Sequence, residues 1–178
     1  MYIIINLKIN IHIYVMCDNA LKNFPPIKLS YEPLVHKKVF NLFLAIPVGK
    51  KYFIWFTYDT QDTCYLVEVD TKTKQPIHAD KITVIYDKFL YGTVLYGTLI
   101  HYKNVKYFVT ENIHYYCGKN IEEISFYKKL NIFKDIFETK LSMKIYGKND
   151  ISIGLCYITN NKDEMLKQID YLYYNIYG

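Results

Sequence analysis

The middle of the chain alternates short runs of aromatic and β-branched residues with turn-forming residues, and this alternation constrains the fold most. Four runs occupy residues 39–46, 51–58, 63–70 and 81–86, and the segments between them are Pro47-Val48-Gly49, Asp59-Thr60-Gln61-Asp62 and residues 71–80. Runs of this length and composition, bounded by turn residues, are typical of strands joined by short connections. The pattern predicts an antiparallel sheet.

A hairpin and then a helix are predicted further along the chain. Residues 92–102 and 105–113 are strand-like on either side of Lys103-Asn104, and a loop follows at residues 117–119. Behind Ser125, a residue type favoured at helix N-caps, the apolar residues recur at helical spacing. They are Phe126, Leu130, Phe133, Phe137 and Leu141. This change of period predicts an amphipathic helix.

The C-terminal part predicts one more strand and a second helix. Residues 151–159 are strand-like, and Asn161 with Glu164 three positions later has the form of a capping box. The apolar residues that follow share one helical face and are Met165, Ile169, Leu172 and Tyr173. The expected fold class is α+β, with an antiparallel sheet core and one or two amphipathic helices. A chain of 178 residues, half of them apolar, has the size of a single domain.

The first fifteen residues follow a period of two. Every odd position from 3 to 15 is apolar, and polar residues such as Asn6 and Lys8 lie between them. This alternation predicts a half-buried strand, which we assign to residues 1–15 as an accessory element before a single domain at 16–178, with Met16 as an alternative start. Because an uncovered strand edge pairs with other chains, self-association or a protein partner is expected here.

The charge pattern restricts how the protein could contact phosphate. All 22 basic residues are lysine, the chain contains no arginine, and the net charge of +5 is spread along its length. Bidentate recognition of phosphate normally uses the guanidinium fork of arginine, so lysine side chains and backbone amides remain. The abundance of Ile, Asn, Lys and Tyr also indicates A/T-rich codons, as in a large DNA virus.

Cysteine spacing and hydropathy predict an intracellular protein that needs no metal or cofactor and does not enter a membrane. The four cysteines are far apart and form no zinc-ligand pattern; they are Cys17, Cys64, Cys117 and Cys156. No apolar run reaches the roughly 18 residues that a membrane helix needs, and the start lacks the basic region of a secretory signal.

Three segments resemble motifs of the covalent nucleotidyltransferases, the family of mRNA guanylyltransferases and ATP-dependent ligases. Residues 92–99, Gly-Thr-Val-Leu-Tyr-Gly-Thr-Leu, are similar to the family pattern G-T-x-L-D-G-E-L. Residues 107–119 are similar to the next motif and place Glu111 at a family carboxylate. Residues 46–51, Ile-Pro-Val-Gly-Lys-Lys, align with K-x-D-G-x-R, whose lysine forms the covalent adduct. The resemblance covers about residues 39–133.

The resemblance implies a catalytically inactive member of this family. Ile46 stands at the position of the nucleophilic lysine, and Tyr96 and Thr98 replace two carboxylates. The Pro-Val-Gly-Lys-Lys segment is most similar to the catalytically inactive cap-binding domain of snurportin. Two later family motifs are missing, which implies a truncated nucleotidyltransferase-like domain.

The candidate ligand-binding residues are Lys50, Lys51, Trp55, Tyr96 and Glu111. Trp55 or a tyrosine would stack on a base, the two lysines would face phosphate, and Glu111 would accept hydrogen bonds from a guanine edge. Each has a plainer interpretation: Trp55 as core, the lysines as a solvated turn, and Glu111 as an exposed strand end.

Two main functional hypotheses follow. The first is a catalytically inactive, nucleotidyltransferase-like protein that binds nucleotide or a capped RNA 5′ end, in host cytoplasm or a virion. The second is a structural or scaffolding protein of a viral particle or homo-oligomer, which uses its tyrosine-rich surface and N-terminal strand. A third is an enzyme subunit completed by a partner. An open pocket beside Gly49 and Gly97 would favour binding, and a filled one would favour the scaffold.

Overall fold

The computed structural model describes residues 20–29, 42–142 and 150–176, so the predicted strand at residues 1–15 lies outside the described residues. The strands are β1 Phe43–Leu44, β2 Lys50–Asp59, β3 Gln61–Val69, β4 Pro76–Ile82, β5 Ile85–Tyr86, β6 Thr93–Tyr102, β7 Val105–Tyr116, β8 Lys119–Asn120, β9 Leu141–Ser142, β10 Ile151–Leu155 and β11 Ile158–Thr159. The helices are α1 Phe126–Asp135 and α2 Lys162–Ile169, with a 3₁₀ turn at Lys88–Leu90 and a π-helical turn at Ile136–Lys140. Residues 20–23 are also helical.

The main sheet confirms the predicted α+β class. Its strand order is β10-β7-β6-β2-β3-β4, with β8 paired to β7, and the neighbours are antiparallel except for β10 and β7. The predicted strand at residues 151–159 is instead two strands, and the first runs parallel to β7. Parallel neighbours need a crossover connection, and the segment that contains α1 supplies it.

Both faces of the main sheet are covered, which is why the centres of β2 and β3 are continuously buried. One face packs against α1 and the π-helical turn. Its core consists of Ile54, Phe56, Cys64, Leu66, Leu90, Leu95, Phe108, Ile113, Phe133, Ile136, Ile151 and Ile153. The opposite face packs against residues 20–29. Its core consists of Ala20, Ile27, Phe53, Trp55, Tyr65, Val67, Val69, Ala79 and Val94.

The predicted hairpin between β6 and β7 is confirmed. Lys103 and Asn104 form its turn with φ values of 48° and 64°, and two consecutive positive φ angles are what a tight two-residue hairpin turn requires. A different boundary was predicted for β4, which begins at Pro76 inside the expected loop. Proline is tolerated at the first residue of a strand, so its presence did not exclude a strand there.

The predicted helix starts are also present. α1 begins directly after Ser125, although the Ser125 side chain makes no capping hydrogen bond. In α2 the Asn161 side chain accepts hydrogen bonds from the backbone of Asp163 and Glu164 at 2.9 and 3.2 Å. The Glu164 carboxylate accepts from Tyr157 and Thr159 instead of returning to Asn161, so the capping box is half formed.

A third layer crosses the sheet face that carries the second core. β1 pairs with β11, the Ala45 amide donates to the Tyr157 carbonyl at 2.9 Å, and Pro47 bridges to Ile176. These contacts hold residues 43–48 above β6 and β7. They determine where the first motif segment lies relative to the other two.

Candidate nucleotide site

Two β-bulges on β7 place two buried ionisable side chains side by side on the strand. The register pairs Gly97 with Thr110 and Tyr96 with Asn112, so it skips Glu111. Further along β7, the register pairs Leu95 with Ile113 and Val94 with Tyr115, so it skips His114. Glu111 and His114 are 7% and 5% exposed. Bulges redirect side chains in this way and are frequent beside functional sites.

Gly97 is required at the first bulge because the two strands approach closely there. A Cβ atom at Gly97 would lie 2.1 Å from the Val109 carbonyl oxygen. A Cβ at Gly49 would likewise lie 2.6 Å from Thr98 Cγ2. The space directly beside these two glycines is therefore filled, which is the outcome that the scaffold hypothesis expects. The open space begins at the neighbouring positions, Tyr96 and Glu111.

Lys51, Thr98 and Glu111 form a hydrogen-bonded cluster between β2, β6 and β7. Lys51 Nζ lies 2.6 Å from Glu111 Oε1, 2.8 Å from Oε2 and 2.6 Å from Thr98 Oγ1. Thr98 Oγ1 also donates to Glu111 Oε1. The side chains of Lys51 and Glu111 are 21% and 7% exposed, so this ion pair is largely removed from water. The cluster fixes the orientation of the Glu111 carboxylate.

A cavity of about 450 Å³ lies next to this cluster. Its lining residues are Lys28, Leu29, Leu44, Ile46, Lys74, Tyr96, Glu111, Asn112, His114 and Phe126. Ile46 comes from the segment before β2, and Tyr96 and Glu111 come from the two strands of the β6–β7 hairpin. Each of these three positions belongs to one of the motifs described above. The walls combine aliphatic and aromatic surface with a few polar groups, as small-molecule sites do, and the volume is in the usual range.

His114 is held in one orientation at the wall of the cavity. Its Nδ1 lies 2.9 Å from Glu122 Oε1, and because a carboxylate accepts, Nδ1 carries the hydrogen. Burial lowers the pKa of His114, against the opposing effect of Glu122. Its Nε2 has no hydrogen-bond partner within the described part of the chain. The ring packs edge-on against Phe53 and Tyr96, with centroid distances of 5.7 and 5.9 Å.

The charges around the cavity favour an anionic ligand. Lys28 and Lys74 line it, and a buried lysine on α1, Lys129, donates to Asn112 Oδ1 at 3.0 Å. Burial lowers the pKa of Lys129. The carboxylates of Glu111 and Glu122 are engaged by Lys51 and His114, and the Asp70 carboxylate interacts with Lys74. Lysines at the cavity and engaged carboxylates suit phosphate better than a cation.

Trp55 does not share the cavity with Glu111. It is 8% exposed, its ring stacks on Tyr65 at a centroid distance of 5.8 Å, and Phe24 packs edge-on against it at 5.6 Å. Its exposed edge contributes to a separate cavity of about 360 Å³ with Asn23 and Asp59. The expected pocket formed jointly by Lys51, Trp55 and Glu111 is thus not observed, because Trp55 lies four residues along β2 from Lys51.

Lys50 also lies away from the cavity. Successive residues of a strand point to opposite faces, so Lys50 and Lys51 diverge. Lys50 Nζ forms an ion pair with Glu68 Oε1 at 2.5 Å, and its side chain is half exposed. Of the five predicted site residues, the structure therefore brings together Lys51, Tyr96 and Glu111.

The candidate site residues chosen from the sequence did not include four residues that the structure places at or beside the cavity. They are Thr98, His114, Lys28 and Lys74. The structure reveals the bulge through the core: Phe108 and Ile113 are five positions apart yet share one core, which a strict period of two forbids. In the described ranges, no group of three or more His, Cys, Asp or Glu residues could hold a metal ion. No helix within those ranges is long and apolar enough to cross a membrane.

No family model matches this chain, and no curated protein matches it.

Proposed function

We propose that this protein binds a nucleotide or the capped 5′ end of an RNA in the cavity beside Glu111, without covalent chemistry. The observation that carries the proposal is the convergence of Ile46, Tyr96 and Glu111 on one cavity. These are the positions that the resemblance to nucleotidyltransferases aligns with the motif lysine, a motif carboxylate and a second carboxylate. Tyr96 and Glu111 lie on the two strands of one hairpin, which brings them together in any case. The position of Ile46 beside them is therefore the part of the convergence that supports the resemblance.

The lining suggests how a base would be held. Tyr96 offers an aromatic ring, and Glu111 offers a carboxylate that Lys51 and Thr98 keep in one orientation. Glu111 Oε1 already accepts from Lys51 and Thr98, and Oε2 accepts from Lys51. Because each carboxylate oxygen has two lone pairs, Oε2 can accept one further hydrogen bond, from an N–H group of a guanine edge. Lys28 and Lys74 would then contact the phosphates as point charges, as expected for a chain without arginine.

Removing the aromatic ring from the cavity tests the proposal. Tyr96→Ala should weaken binding of GTP or a capped dinucleotide by about 1–3 kcal/mol, the usual contribution of one stacked base, as measured by isothermal titration calorimetry. The matched control is Tyr171→Ala, because Tyr171 is 83% exposed and does not line the cavity. Circular dichroism establishes that both variants are folded.

Two lysine substitutions test whether the cavity binds phosphate through positive charge. Lys28→Gln should reduce the dependence of affinity on salt, whereas Lys50→Gln should not, since Lys50 is bound to Glu68 on the other side of the sheet. Equal affinities for the parent, Tyr96→Ala and Tyr171→Ala proteins would contradict the proposed site.

No covalent nucleotide adduct should form. Ile46 lines the cavity at the position of the nucleophilic lysine, and an aliphatic side chain cannot attack phosphorus. The measurement is incubation with labelled GTP or ATP and a divalent cation, followed by denaturing electrophoresis. Label retained on a lysine would show that the motif alignment and the proposed inactivity are both wrong.

The scaffold hypothesis becomes the better proposal if the parent protein binds no nucleotide and no capped RNA. Large apolar side chains are exposed on several elements, among them Phe89 at 67% in the 3₁₀ turn, Tyr58 at 62% in β2 and Leu166 at 56% in α2. Dispersed residues of this kind are normal on protein surfaces and do not by themselves define an interface.

A further inference from the structure

A second open cavity lies on the same sheet face as the Glu111 cavity. It measures about 610 Å³ and lies between the end of β6 and the C-terminal segment. We refer to it as the tyrosine groove; its wall includes Val48, Ile100, His101, Tyr102 and Tyr173. No carboxylate is among the residues that line it.

The two cavities are neighbours along β6. Alternate residues of a strand share a face, so Tyr96 in the first cavity, Thr98 in the ion-pair cluster and Ile100 in the groove follow one another on one side. Four residues of extended strand span about 13 Å. Residues 46–48 run from one cavity to the other, since Ile46 lines the first and Val48 lines the second.

The groove presents exposed tyrosine rings that pack against one another at tilted angles, and a lysine lies beside it. Tyr173 packs against Tyr102 and Tyr107 with centroid distances of 5.7 and 5.4 Å, which holds the rings in place. Tyr102 and Tyr173 remain 39% and 45% exposed. Lys103, in the left-handed conformation at the hairpin turn, places its Nζ 5.1 Å from the centroid of the Tyr102 ring.

We propose that the tyrosine groove binds the nucleotides that follow the 5′ end of a single-stranded RNA whose terminal base occupies the Glu111 cavity. The proposal rests on the function proposed above. Ordered aromatic rings combined with positive charge, and without carboxylates, are the features by which proteins hold single strands irrespective of sequence. The short distance along one face lets a single strand reach both cavities.

The test compares a capped dinucleotide with a capped RNA of eight nucleotides that has the same 5′ end. The parent protein should bind the octamer about tenfold more tightly, and Tyr102→Ala/Tyr173→Ala should remove that gain while leaving the affinity for the dinucleotide unchanged. Tyr102→Phe/Tyr173→Phe should keep it, because phenylalanine also stacks. Tyr58→Ala, an exposed tyrosine outside the groove, should have no effect.

If the Tyr102→Ala/Tyr173→Ala protein does not fold, a charge substitution beside the groove tests the same proposal. Lys103→Glu, at the exposed hairpin turn, should lower the affinity for the octamer about threefold and flatten its salt dependence, while Lys128→Glu on α1 should not. An octamer bound no more tightly than the dinucleotide, or a gain that survives these changes, would overturn the proposal.

An uncapped octamer separates this proposal from the proposed function. If it binds as tightly as the capped octamer, with an affinity that Tyr102→Ala/Tyr173→Ala lowers and Tyr96→Ala leaves unchanged, the groove binds RNA and the terminal-base site is wrong. If the dinucleotide binds and neither octamer gains affinity, the groove proposal fails and the Glu111 site remains. Absence of binding by the parent protein to RNA and to GTP alike overturns both.

Discussion

Lys51→Met is expected to lower the free energy of unfolding by about 3–5 kcal/mol, because it leaves the Glu111 carboxylate buried without its cation. Glu111 is 7% exposed, and both of its oxygens lie within 2.8 Å of Lys51 Nζ. Thr98 alone cannot replace the lost charge. Urea denaturation followed by circular dichroism measures the change.

The matched control is Lys50→Met, one residue earlier on the same strand. Lys50 pairs with Glu68 at a half-exposed position, where water screens the charges, so its loss should leave the unfolding midpoint unchanged. The double variant Lys51→Met/Glu111→Met should be more stable than Lys51→Met alone, since it leaves no unpaired charge. Strictly additive losses in this cycle would contradict a coupled buried pair.

Trp55→Ala is expected to cost about 3–5 kcal/mol of stability through the cavity that it leaves. The indole is 8% exposed and packs between the rings of Phe24 and Tyr65. Since Trp55 does not line the Glu111 cavity, ligand affinity of the folded variant should be unchanged. Denaturation and calorimetry on the same sample measure both quantities.

The conservative variant Trp55→Phe separates packing from binding. It retains an aromatic ring in the same core and should lose much less stability than Trp55→Ala, again without an effect on affinity. A Trp55→Ala protein as stable as the parent but with weakened nucleotide binding would restore Trp55 as the base-stacking residue that the sequence suggested.

The contrast between Trp55 and Tyr96 shows how far sequence reasoning extends to the site. Both are aromatic residues in strands beside a motif, and nothing in their local sequence separates a packed ring from a cavity wall. The difference arises because residues 20–29 cover Trp55, whereas Tyr96 lies at the cavity beside the bulge at Glu111. Both causes depend on residues that are distant in sequence.

The sequence by itself determined the elements whose causes are local. Runs of aromatic and β-branched residues between turn residues predicted β2, β3, β6 and β7. The pair Lys103-Asn104 predicted the hairpin turn, and the change of spacing after Ser125 predicted α1. Side-chain periodicity and turn conformation act within a few residues, so one sequence is enough to detect them. The α+β class follows from these elements.

Only the tertiary structure decided the register and therefore the site. Each one-residue bulge in β7 reverses the face of every residue beyond it, and two of them bring Glu111 and His114 to the wall of one cavity. The parallel placement of β10 and the pairing of Lys51 with Glu111 likewise depend on which strands become neighbours. Such choices are set by packing between distant segments, because the local backbone energies of the alternatives are nearly equal.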